Sequence, residues 1–345
     1  MSELDKYGSV ITHATCILQE DMPGIYRSSF DIENFYFTNR LDTYAVVEPG
    51  VRALLVDCGD PRLVGRDFID RLVTDFGIPW NCIEIFVTHF HDDHDGNVLY
   101  ALEQGAKAVY VGEYIPYSDD LVRTWLTASG AEEHNDTGIW GETSYLMGNL
   151  PPENDYLDQA TVVPAGHVFH IAGYNLEVIF TPGHTGSHYC LMDKAAGVLF
   201  AGDHLLDSAP GLMSYYLDEH LLGNWLDNLR FLMTCHLKKI YMCHADSIVG
   251  EETINQFLQR QIDKYDKPLG KVTNLMKELA DQPKTAYDVA ERYYDRLPGG
   301  LAAQPNQLRG RRVSIIYGYL EYLTEQGVME RTTDNGKLLY QLRAI

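Results

Sequence analysis

Thr88-His89-Phe90-His91-Asp92-Asp93-His94-Asp95-Gly96 is the stretch on which the reading of this chain turns. It follows the apolar run 83–87, a buried-type strand, and leads into a helical pattern over 96–104 that stops at Gly105. Three histidines and their neighbouring carboxylates, crowded between positions 89 and 94, are poor core material. A polar group buried without a partner costs several kcal/mol. At a strand end such groups can converge on one point, and imidazole with carboxylate oxygen is a ligand set for zinc, iron or manganese. The H-x-H-x-D-H spacing lets His89 and His91 face one metal while Asp93 and His94 turn toward a second.

The pattern recurs downstream. Phe180-Thr181-Pro182-Gly183-His184-Thr185-Gly186-Ser187-His188 sets a histidine in a Gly-rich turn after an apolar strand. Phe200-Ala201-Gly202-Asp203-His204 does the same with an aspartate, and Tyr241-Met242-Cys243-His244 with another histidine. Four successive strand-end loops, each beginning with a metal-type ligand, put all the ligands on one edge of a sheet.

This series of motifs resembles the metallo-β-lactamase superfamily: H-x-H-x-D-H, a histidine in a T-P-G-H-T-like turn, an aspartate in a G-D turn and a final histidine. The resemblance implies an α/β fold, an αββα sandwich, with His89, His91 and His184 on a first metal and Asp93, His94 and His244 on a second. Asp203 would bridge the two. It implies two divalent ions, zinc first with iron or manganese as alternatives, and a metal-bridging hydroxide as nucleophile in place of a Ser or Cys side chain. Asp93 and Asp57 enter the catalytic set. Asp57 ends an early strand, where it would fix the tautomer of a ligand histidine or simply form an Asx-turn before Gly59. His188 would hydrogen-bond Asp203 or pass a proton to a leaving group, His204 would be a loop neighbour, and Tyr215 and Tyr216 are candidate donors to an oxyanion.

Around this centre, 345 residues exceed one typical domain. A catalytic domain is expected over 1–266, with a partly helical insertion at about 112–156. A small C-terminal winged-helix-like domain is expected over 267–345, because three helical patterns precede two β-type runs flanking Asp334-Asn335-Gly336, a hairpin signal. Pro268 and Gly270 mark the boundary. Charge changes there too: 27 Lys and Arg face 49 Asp and Glu in the whole chain, yet residues 271–345 hold 11 basic and 9 acidic side chains. A net charge of −22 repels phosphate backbones, which counts against a general nucleic-acid binder. The absence of an 18-residue apolar run or a basic-then-apolar start counts against a membrane span or a secretory signal. Six cysteines without a C-x-x-C pair read as reduced thiols of a cytoplasmic protein.

The branch resembled is that of glyoxalase II and of the β-lactamase-like protein 2 endoribonucleases with related thioester hydrolases. The expected function is hydrolysis of a small ester, thioester or lactone, with a small-molecule substrate as partner and a homo-oligomer as a candidate assembly. A metal-dependent endoribonuclease is the runner-up, with Arg309-Gly310-Arg311-Arg312 as the run that could meet phosphates. A non-catalytic regulatory protein on the same fold is the third reading. A mono-iron dioxygenase would need only His89, His184 and Asp203.

Overall fold

The computed structural model describes residues 10–13, 18–33, 40–60, 63–114, 119–134, 156–207 and 220–343. Its first sheet comprises β1 (Val10–His13), β2 (Gln19–Met22), β3 (Ile25–Glu33), β4 (Arg40–Glu48), β5 (Arg52–Val56), β6 (Ile83–Val87), β7 (Ala108–Gly112) and β8 (Thr161–Val163). The strand order is β1-β3-β4-β5-β6-β7-β8, with β2 paired to β3. Strands β5 to β8 run parallel, so the loops after them leave from one edge. The second sheet holds β9 (Val168–Ile171), β10 (Tyr174–Phe180), β11 (Tyr189–Asp193), β12 (Val198–Phe200), β13 (Lys239–Tyr241) and β14 (Ile248–Val249), ordered β14-β13-β12-β11-β10-β9.

Alternation along the strands dictates the layers. Tyr44, Val46, Leu54 and Val56 face inward and join Leu176, Val178, Leu191, Val198 and Phe200 in a core between the sheets. Ala45, Val47, Ala53 and Leu55 face outward onto α1 (Leu63–Phe76) and α3 (Val98–Glu103), which bury Phe68, Ile69, Leu72, Val98 and Ala101 there. On the far side, Cys190, Met192, Leu199 and Ile240 meet α5 (Leu221–Met233) and α6 (Glu251–Asp263). Helix, sheet, sheet, helix is the expected order. Two short helices complete this part, α2 (Asp92–Asp95) and α4 (Asp119–Ser129).

The tail carries α7 (Asp266–Glu278), α8 (Ala286–Tyr293), α9 (Asn306–Glu325) and the hairpin β15 (Met329–Asp334) with β16 (Lys337–Leu342). Asn335 and Gly336 sit at φ 49° and 84°, the left-handed pair that a two-residue hairpin turn requires. A capping box on Thr285 and Asp288 starts α8.

Several bounds differ from expectation for physical reasons. Pro268 and Gly270 lie inside α7, because the first turn of a helix has no amide partner for a proline to forfeit. Helix α9 begins at Asn306, ahead of the apolar stripe that opens at Val313, since its first turns are polar. The helical pattern read from the sequence over about 218–236 ends sooner than expected: His236, at φ 51°, lies beyond the end of α5, and Asp218 falls outside the described residues. Most of the 112–156 insertion lies outside them as well, including Trp140 and Tyr145, whereas Trp125 on α4 is buried. One apolar cluster runs without a break from Leu199 and Trp225 through Tyr265 to Val313, Leu320 and Tyr340. No helix among the described residues is long and apolar enough to cross a membrane.

Candidate metal centre

The loops after β6, β10, β12 and β13 meet where the two sheets are stitched together. Tyr189 N–H donates to the Thr88 carbonyl at 2.9 Å and Asp42 N–H to the Cys243 carbonyl at 2.6 Å, tying one sheet to the other at this edge. His89, His91, His184 and Asp203 each offer an atom within 4.8 Å of the other three, and Asp93, His94 and His244 do likewise. His91 Nδ1 lies 2.9 Å from His89 Nε2 and 3.1 Å from His184 Nε2. Nitrogens about 2.0–2.1 Å from one tetrahedral zinc would sit about 3.3–3.4 Å apart, so this convergence suits a shared cation.

Asp203 lies between the two groups. Its Oδ2 is 3.3 Å from His184 Nε2, while its Oδ1 is 3.2 Å from His244 Nε2 and 3.4 Å from His94 Nε2. Asp93 Oδ2 is 3.3 Å from His244 Nε2. His94 Nε2 and Asp203 Oδ1 are buried with no hydrogen-bond partner among the described residues, although they face one another. A ring nitrogen and a carboxylate oxygen set face to face in a dry site, with no hydrogen bond formed between them, leave a place for a cation. The residues present therefore fit a pair of divalent ions.

Electrostatics point the same way. Burial holds His89 well below its ordinary value and His184 down to about 3, so both are neutral, as ligands must be. Burial also opposes charge on His94 and His244, but the carboxylates of Asp203 and Asp93 outweigh it; His94 is raised well above its ordinary value and His244 to about 10. Reciprocally, burial works to raise Asp93, and the facing His94 and His244 bring it down to about 2. The carboxylates of Asp93 and Asp203 thus draw positive charge to this point, whether as protons on His94 and His244 or as a bound cation.

Each donor is aimed from behind. Asp57 Oδ2 is 2.7 Å from His94 Nδ1 and accepts the Thr88 hydroxyl at 2.9 Å, while its Oδ1 accepts Thr88 N–H at 2.7 Å. Thr88 Oγ1 lies 3.0 Å from His89 Nδ1. The Arg40 carbonyl is 2.9 Å from His244 Nδ1, which turns Nε2 toward the centre. Cys243 is grouped with Asp57 and His94 behind the site, its thiol pushed up to about 12 by burial. Nothing in the sequence marked Arg40, which acts through its backbone; Thr88 stood directly beside His89.

His188 is fully buried, and its Nε2 accepts Asp203 N–H at 3.1 Å while its Nδ1 is 2.8 Å from the Thr181 hydroxyl. With both nitrogens engaged inside the fold, it does not fit the expectation of a proton donor to a leaving group. It bonds the Asp203 backbone rather than the carboxylate, which makes it a positioning residue. His204 joins neither donor group and packs 5.9 Å from the Trp225 ring. Tyr215 and Tyr216 lie outside the described residues.

Gly202 tightens this cradle. At φ 48°, a Cβ there would lie 2.7 Å from His188 Nε2 and 2.8 Å from Thr88 Oγ1. Gly202→Ala is expected to cost roughly 1–3 kcal/mol of stability, read as a lower denaturant midpoint, and to weaken metal retention. An unchanged midpoint together with full metal content would mean that the cradle yields.

A family model described as "Metallo-beta-lactamase superfamily" matches residues 42–244. An atrochrysone carboxyl ACP thioesterase from Emericella nidulans is 24% identical over 209 residues, covering 61% of this chain and 52% of that protein. The match thus spans about half the length of that relative. A beta-lactamase-like protein 2 homolog from Caenorhabditis elegans is 22% identical over 286 residues, 81% of this chain and 78% of that one. Among solved structures, a metallo-beta-lactamase family protein from Thermus thermophilus is similar with a TM-score of 0.62 at 22% identity, covering 93% of this chain and 99% of that one.

Proposed function

Because the chain belongs to the metallo-beta-lactamase superfamily, we propose that it is a dinuclear-metal hydrolase of a small acyl thioester, with related esters and lactones as secondary substrates. The observation that carries this reading is Asp203, one carboxylate with an oxygen turned to each of two donor groups. When bound, two divalent ions supply the Lewis acidity and the activated water that attack on an acyl carbonyl requires. His89, His91 and His184 would hold one ion and Asp93, His94 and His244 the other. The protein's part is to keep these side chains dry and fixed: Asp57 orients His94, the Arg40 carbonyl orients His244, and His188 anchors the Asp203 backbone. The thioesterase name of one relative supports a thioester over a phosphodiester, as does the acidic surface. The tail would act as a winged-helix-like unit packed on the catalytic layers.

Elemental analysis of the purified chain is expected to return two divalent ions per chain. Stripping them with a chelator should abolish thioester hydrolysis and lower the melting temperature by several degrees through mass action, and zinc should restore both. One iron per chain, with no thioesterase activity, would sink the reading.

A further inference from the structure

Strand β4 runs antiparallel to β5, so its first residues stand at the edge from which the loops after β5 and β6 leave. Arg40, Asp42 and Tyr44 share the face of β4 that looks toward the second sheet, where residues 242–247 lead from β13 to β14. The three hold that loop in order. Tyr44 OH donates to the Met242 carbonyl at 2.7 Å, Asp42 N–H donates to the Cys243 carbonyl at 2.6 Å, and the Arg40 carbonyl lies 2.9 Å from His244 Nδ1. The last contact aims a metal donor, and a backbone carbonyl points only where its own residue is held.

The Arg40 side chain does that holding. Its Nε and Nη2 donate to the two oxygens of Asp42 at 2.7 and 2.8 Å, a bidentate pair, while Nη1 donates to the Asp246 carboxylate, two residues beyond His244. One planar guanidinium thus ties the start of β4 to the loop that carries His244. The Asp42 side chain is fully buried, so that half of the bridge is shielded. The Asp246 side chain is 87% exposed, which leaves the other half open to screening. His244 is held across the sheets in this way, whereas Asp57 and Thr88, which support His94 and His89, follow β5 and β6 of the same sheet as those donors.

We propose that the Arg40 side chain is a positioning residue for the donor group of Asp93, His94 and His244. By bridging Asp42 and Asp246 it fixes the carbonyl that aims His244, and so sets how tightly that group holds its ion. This deepens the hydrolase reading and rests on its second ion.

Cobalt(II) titration of the metal-stripped full chain, against a competing chelating dye, reads the two affinities separately. Arg40→Met is expected to weaken the second equivalent about ten- to a hundredfold and the first by less than about twofold. Arg40→Lys keeps the charge but, as a point donor, cannot serve both carboxylates, so it should recover only part of the loss. Asp246→Asn alters no metal donor and no buried group. It should weaken the second equivalent about two- to fivefold, a gap that closes in molar salt. The double variant Arg40→Met/Asp42→Asn removes the buried carboxylate together with its cation and should stay as weak as Arg40→Met. A return to wild-type affinity would mean that Arg40 merely neutralises Asp42, and it overturns the proposal, as does an equal loss of both equivalents or no loss of either. Should Arg40→Met fail to fold, Arg40→Lys and Asp246→Asn carry the same test. If the wild type takes up one ion only, the dinuclear reading fails separately. Hydrogen exchange on the metal-free chain then decides on the bridge. The Asp42 N–H bonded to Cys243 should exchange about tenfold faster in Arg40→Met, and an unchanged rate rejects the proposal.

Discussion

Asp203→Ala is expected to lower thioester turnover by roughly a thousandfold or more and to reduce bound metal from two ions per chain to one or fewer, while the far-UV circular dichroism stays that of the wild type. Among the described residues, the carboxylate removed is the only one shared by both donor groups, at 3.3 Å from His184 Nε2 and 3.2 Å from His244 Nε2. Each group would be left with its imidazoles, plus Asp93 on one side, and too little negative charge to hold two dications near each other. Folding should survive because the loop is anchored through the Asp203 N–H to His188, a bond the substitution keeps. Metal content and turnover are read on the same preparation. A variant that keeps two ions and most of its activity would remove Asp203 from the bridging position.

The second large effect is expected from Asp57→Asn, which keeps shape and removes charge. Asp57 sits at φ 64°, a conformation Asn adopts readily, so the backbone should not move. Its carboxylate receives three contacts, from Thr88 N–H, the Thr88 hydroxyl and His94 Nδ1. An amide has one accepting oxygen, so its NH₂ must confront one of these donors. His94 then loses either its orientation or the partner that raises its basicity. Metal affinity at the site containing His94 should fall about ten- to a hundredfold, with activity following. Competition against a chelating dye measures the affinity. Unchanged affinity would leave Asp57 with nothing but its turn-forming role.

The donors that meet in the structure were the most legible part of the sequence, because His and Asp at strand ends have few other physical reasons to be buried. Their supports were less so. The Arg40 carbonyl that orients His244 carries no side-chain signature, and the packing of Trp225 against Gly183 is a matter of shape that no local pattern announces. The same asymmetry governed the fold. Strands such as β6 and β11, apolar and short, stood out, whereas the hairpin of β2 and β3, mostly polar and ahead of the first strong apolar run, did not. The opening turns of α9 stayed hidden for a similar reason. Arg309, Arg311 and Arg312 break no helix, but they supply no stripe to detect. Pro268 reads as punctuation in the sequence, yet it stands in the first turn of α7, where a proline costs the helix no hydrogen bond.

The unbroken apolar cluster that joins Trp225 and Tyr265 to Leu320 and Tyr340 has a consequence for synthesis. A nascent chain emerging from the ribosome can close its inter-sheet core early, yet the face of α5 that meets α9 stays uncovered until α9 is made, about ninety residues later. Until then a greasy helix lies bare beside the metal site, whose seven donors have all been made. Chaperones would have their best target in that interval, and a product stopped near residue 266 would be prone to aggregate rather than to persist as a free-standing hydrolase.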